Sequence, residues 1–108
     1  MKFIDFDGTL AKQLHPYDPK VAGPPIPASV RLVKKWMANK EQIVIFTSRV
    51  SPATHNSLQI KFAKKLITAW CRKYLGKTFP ITSDKHPSAE YWDNKAHRVE
   101  TNTGRVLA

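Results

Sequence analysis

The chain is poor in the features that mark secreted, membrane or zinc-binding proteins. Cys71 is the only cysteine among 108 residues, so no internal disulfide can form, and nothing in the sequence points to an oxidising compartment. A lone cysteine within a helical pattern reads as a small buried hydrophobe. No apolar run approaches the roughly 18 residues of a membrane span. The opening residues, Met1 to Asp7, carry acids where a signal peptide has its apolar stretch. His15, His55, His86 and His97 share no ligand-like spacing, which argues against zinc. Together these absences lead us to expect a soluble, cytoplasmic protein with no membrane partner.

Acids are scarce too. Asp plus Glu is 8 against 18 for Lys plus Arg, a formal net charge of +10. Such an excess fits partners bearing phosphates or other anions, and it equally fits a solvated lysine surface. At 12.3 kDa, with 42% apolar and 24% charged residues, the composition is that of a globular single domain over residues 1–108.

Hydrophobic patterning gives the order of elements. Residues 2–6 read as a strand ending in the turn Asp7-Gly8-Thr9. Residues 11–27 hold five of the eight prolines and read as a loop, because a backbone so short of donors makes neither helix nor central strand. Pro27 suits a first helical turn, and Val30, Val33, Trp36 and Met37 recur at helical spacing up to about Asn39. Ile43 to Phe46 is a continuous apolar run, expected of a strand covered on both faces. A long helix follows, beginning at Pro52 or Ser57 and ending near Leu75. Its apolar stripe is Ile60, Ala63, Ile67, Trp70 and Tyr74, widened by Leu58, Phe62, Leu66 and Cys71. Short strands are expected at Phe79–Thr82 and Tyr91–Trp92, after a brief Ser88–Glu90 segment, and one more within Val99–Ala108.

Alternation of strand and helix predicts an α/β, three-layer Rossmann-like fold with a short parallel sheet. In such folds ligands bind beyond the carboxyl ends of the strands. The polar clusters fall there: Asp5 and Asp7, Thr47 to Arg49, Lys85, and Asp93 with Asn94. Two carboxylates beside Ile4 and Phe6 are costly unless a cation neutralises them, and oxygen donors near an anionic substrate suit Mg²⁺. The competing reading is that the acids cap the following turn. Gly8 and Thr9 would let backbone amides and a hydroxyl approach an anion, and Thr47 and Ser48 add donors at the same edge. Lys85 would hold the anion and keep a carboxylate ionised. Arg49 and Arg98 would either meet a distal charge of the substrate or form ordinary surface pairs.

Asp5-Phe6-Asp7-Gly8-Thr9-Leu10 resembles the DxDG[TV] signature of haloacid-dehalogenase-like (HAD-like) phosphohydrolases. The resemblance implies a first motif with Asp5 as nucleophile and Asp7 as general acid/base. It extends to Thr47 as the second motif, Lys85 as the third, and Asp93-Asn94 as the acidic pair of the fourth, so that it spans about residues 3–98. Metal ligation is then expected from Asp5, Asp7, Asp93 and Asn94, and substrate contacts from Gly8, Thr9, Ser48 and Arg49. Two departures stand out: Asn94 replaces the second acid of a usual Asp-Asp pair, and no stretch is long enough for a cap domain. The implied activity is Mg²⁺-dependent phosphomonoester hydrolysis by a capless member, with residues 11–27 in the cap's place. The substrate would be a phosphorylated small molecule or a nucleic-acid end, and either a second copy of the chain or a large substrate would cover the open site. The alternative is a catalytically weak or inactive module that binds nucleic acid or a protein through its basic surface.

Overall fold

The structure, a computed structural model, describes residues 1–84 and 90–92. In chain order the elements are β1 (Lys2–Asp5), α1 (Pro27–Ala38), β2 (Ile43–Phe46), α2 (Ser57–Leu75), β3 (Ile81–Thr82) and β4 (Glu90–Trp92), with a 3-10 turn at Ser48–Val50. The strands form one sheet in the order β3-β2-β1-β4, and every neighbouring pair is parallel. The expected α/β class and parallel sheet are therefore present.

The two helices start differently. Asn56 settles where α2 begins: its Oδ1 accepts the Gln59 N–H at 2.8 Å while Gln59 Oε1 accepts the Asn56 N–H at 2.8 Å. This reciprocal box satisfies two donors that a helix otherwise leaves unpaired. Pro52, the other expected start, lies outside the helix. Ile26 gives α1 no side-chain cap, and Pro27 at the first position removes one orphan donor instead. Gly76 closes α2 in the left-handed region at φ 72°. Lys40 closes α1 at φ 58°, with its N–H on Met37 O at 3.0 Å and that of Glu41 on Trp36 O at 3.0 Å. This is a Schellman arrangement, with lysine where glycine is usual.

Ile4, Ile43 and Ile45 share one face of the sheet and pack with Val33 and Trp36 of α1 and Ile67, Trp70, Cys71 and Leu75 of α2. Each wholly buried isoleucine contributes on the order of 2 kcal/mol. Burial pushes the Cys71 thiol up to about 12, so it is an inert core group as expected. The other face carries Phe3, Val44 and Phe46, and no described helix belongs to it. The third layer, and the helical cover expected on both faces of β2, are thus not found among the described residues.

Two expectations need correction. β3 is shorter than Phe79–Thr82, because Pro80 has no N–H to give the ladder, though its carbonyl accepts from Ile45 N at 2.9 Å. Leu58 and Phe62, expected to widen the buried stripe of α2, are 77% and 49% exposed. Ser88, Ala89 and the tail strand within 99–108 lie outside the described residues.

Candidate active site at the carboxyl edge of the sheet

From β1 the chain runs outward through β2 to β3 and then returns to place β4 on the other side of β1. The direction of winding reverses at β1, and the crevice beyond that strand is where an open parallel sheet accepts ligands. Asp5 is the last residue of β1. It stands in register with Phe46, so Thr47 comes one step beyond it on the neighbouring strand. The Asp5 carboxylate is half-buried, and its Oδ1 accepts the Phe6 N–H at 3.0 Å.

Gly8 is buried with φ 83°, a conformation that requires glycine in the turn after the acids. Its amide was expected to face an anion. Instead it donates to Ala11 O at 2.7 Å, and the Thr9 and Leu10 amides turn back to Phe6 O at 3.4 and 3.0 Å. The turn consumes these donors internally, so Gly8 acts through its backbone conformation. The Thr9 side chain is different: it is 1% exposed, and its hydroxyl has no hydrogen-bond partner among the described residues. A buried orphan of that kind costs about 1–3 kcal/mol unless something supplies a partner.

Arg49 departs most from expectation. It is not an ordinary surface pair: its side chain is 4% exposed and grips Asp7 in a two-point fork. Nε donates to Asp7 Oδ2 at 2.7 Å and Nη2 to Asp7 Oδ1 at 2.9 Å. Nη1 and Nη2 also reach the Val21 carbonyl, each at 3.2 Å. The guanidinium carbon lies 4.8 Å from the Tyr17 ring centroid and 5.8 Å from that of Phe6. Burial, the largest influence on Tyr17, pushes its phenol up; Arg49 opposes this, and Asp7 and Asp18 add to it. Sequence reasoning missed the clamp because residues 7 and 49 lie 42 positions apart. The usable signal was only that Arg49 lies three residues beyond the end of β2.

Thr47 is buried, and its Oγ1 accepts the Arg49 N–H at 3.2 Å, capping the 3-10 turn. The hydroxyl proton stays available for donation, since only the oxygen's acceptor capacity is used there. Ser48 is exposed at the start of that turn. Lys85, Asp93, Asn94 and Arg98 lie outside the described residues. The structure therefore gathers Asp5, Asp7, Thr9, Thr47 and Arg49 at one end of the sheet.

Among the described residues no three potential metal ligands of His, Cys, Asp or Glu come together. The donors at this edge are carboxylate and hydroxyl oxygens, which in kind fit Mg²⁺. Asp7, expected as a ligand, is already held through both oxygens by Arg49, which cancels one of the two negative charges.

The chain matches no protein-family model and no curated protein. It is similar to a solved structure described as a conserved protein from Bacteroides thetaiotaomicron, at 22% identity and a TM-score of 0.47. That likeness covers 80% of this chain and 59% of the other, so the chain spans less than two thirds of its solved neighbour's length. No helix among the described residues is long and apolar enough to cross a membrane.

Proposed function

We propose that this chain is a capless HAD-like phosphomonoester hydrolase. The observation that carries the reading is the position of Asp5. It ends the strand at which the sheet's winding reverses, two residues before a carboxylate fixed by a buried arginine. An Asp5 oxygen would attack phosphorus as the bond to the leaving oxygen breaks, giving an aspartyl-phosphate. Asp7 would give that oxygen a proton. It would then take one from the water that cleaves the phosphorus–Asp5 bond and releases phosphate. Thr47 and Lys85 would hold the phosphoryl oxygens. Mg²⁺, held by Asp5 with Asp93 and Asn94, would supply charge neutralisation there.

A second reading is favoured by the clamp itself. Both Asp7 oxygens accept from Arg49, so the carboxylate that the first reading uses as general acid/base is occupied by a fixed ion pair. With Lys61, Lys64 and Lys65 exposed along α2, this supports a weakly active or inactive module that holds nucleic acid on its basic surface.

Phosphate release from a panel of phosphomonoesters, with Mg²⁺ or EDTA, separates the two. Metal-dependent release by the parent protein that is lost in Asp5→Asn is the expected result. Activity retained in D5N overturns the aspartyl-phosphate reading. Salt-sensitive binding of single-stranded oligonucleotide that survives D5N, without turnover, favours the module.

A further inference from the structure

One side of α2 carries two features that its packing against the sheet does not explain. The first is apolar. Leu58 and Phe62, exposed on that helix, line a groove of about 390 Å³ whose lining also includes Tyr17 and Pro19 of the proline-rich loop. The Arg49 guanidinium lies over the Tyr17 ring at 4.8 Å to the centroid, yet Tyr17 remains 47% exposed. His55 adds a third ring to the lining, and Lys20 adds a cation. Exposed apolar side chains gathered in one concave place are a binding surface in soluble proteins, whereas scattered ones are not.

The second feature is charge. Between Glu41 and Asp84 the chain holds no acidic residue. Within that stretch α2 carries Lys61, Lys64, Lys65, Arg72 and Lys73, all exposed. Lys61 and Lys65 stand four residues apart, so like charges are neighbours on a helix that has no acid to offset them. At about 100° of turn per residue, Lys65, Arg72 and Lys73 fall within about 60° of the direction shared by Leu58 and Phe62. The cations therefore continue the apolar row along the helix. At 1.5 Å of rise per residue, Lys65 lies about 4.5 Å and Arg72 about 15 Å beyond Phe62 along the axis.

Together the two features select the occupant. Ring surfaces followed by a row of cations complement a polymer of flat rings joined by anions, which is single-stranded nucleic acid. A duplex offers the same phosphates but keeps its base faces stacked on one another. An anionic membrane would meet the same lysines, but a recess lined by rings suits a flat ring better than an acyl chain.

We propose that the groove and the basic row of α2 form a track for single-stranded nucleic acid, with a base seated against Tyr17 and Phe62 and neighbouring phosphates on Lys65 and Arg72. This deepens the nucleic-acid reading given above and rests on it. It requires neither contact with Asp5 nor turnover.

Fluorescence anisotropy tests the track with three labelled probes: an oligothymidylate without terminal phosphates, its abasic counterpart and a blunt duplex of equal length. Phe62→Ser should weaken oligothymidylate binding about tenfold and leave the abasic strand unchanged. Leu58→Ser, also at an exposed position, should give a smaller loss, and matching urea midpoints show that both variants fold. Replacing Lys65 and Arg72 together by Gln should instead flatten the slope of log K against log salt by about 1.4, at about 0.7 for each phosphate contact. Unchanged oligothymidylate affinity in F62S overturns the proposal, as does equal binding of the abasic strand or of the duplex; in each case the basic-surface reading still stands. No binding of any probe at low salt overturns both, and leaves the hydrolase reading untouched because none of the probes carries a phosphomonoester. Binding to phosphatidylserine vesicles in place of the oligonucleotide, lost in F62S, would assign the row to a lipid surface. Self-association lost in F62S by sedimentation would assign the groove to a second copy of the chain. Either result overturns the proposal.

Discussion

The two ends of the sheet make an instructive contrast. At the amino end lies the larger cleft, about 530 Å³, with Met37, Lys40, Glu41, Ile43, Lys77 and Phe79 among its lining residues. At the carboxyl end the groove is smaller, about 390 Å³, yet one of its lining residues is Arg49, which is paired with Asp7. Cleft size alone would choose the amino end. What separates them is restraint: Lys40, Glu41 and Lys77 are exposed, whereas Arg49 is buried and bonded to a carboxylate and a backbone carbonyl. A fixed charge pair can orient a reacting group, and a solvated lysine contributes little to doing so.

Substitutions at the two ends should therefore differ in kind as well as size. The largest effect belongs to Asp5→Asn, which should lower phosphate release by at least about 10³-fold while leaving the urea midpoint nearly unchanged. Arg49→Ala should act on both. It strands Asp7 and the Val21 carbonyl, and should cost about 3 kcal/mol in urea denaturation together with most of the turnover. Gly23→Ala comes next, because a Cβ there would run into the backbone carbonyl of Lys12 and displace the Gly23 oxygen that accepts from Trp70 Nε1 at 2.9 Å. About 2 kcal/mol of stability should be lost, with a smaller drop in turnover. At the amino end, Lys40→Gly should stabilise by about 1 kcal/mol and leave turnover unchanged, since glycine carries no Cβ penalty at φ 58°. A Lys40→Gly variant that altered turnover would break the contrast between the ends.

Legibility in the sequence follows the range of the interaction. Ile43 to Phe46 announces a buried strand by composition, and Asn56 with Gln59 three residues on is a local capping pattern that the structure realises. The acids at the end of β1 were visible for the same reason: strand and turn residues are neighbours in the chain. The clamp was not visible, since one arginine among 18 basic residues carries no mark of its distant partner. Leu58 and Phe62 were misassigned because helical periodicity places them on one flank of α2 without saying whether another element covers that flank. Lys40 was unreadable as a left-handed residue, because lysine has no preference for that conformation.

The segment joining the turn to α1 is short of amide protons, with Pro16, Pro19, Pro24, Pro25 and Pro27 supplying none. Two of its carbonyls take their donors from side chains, Val21 from Arg49 and Gly23 from Trp70. Few amides tie this segment down, chiefly those of Lys12 to Pro24 O at 2.8 Å and Ile26 to Leu10 O at 2.9 Å. The Trp70 indole proton is the better reporter, buried and bonded to Gly23 O while Trp70 packs edge-on against Phe6 at 5.1 Å between centroids. Its resonance and its exchange with solvent register, at one atom, the seating of a wall beside the candidate site.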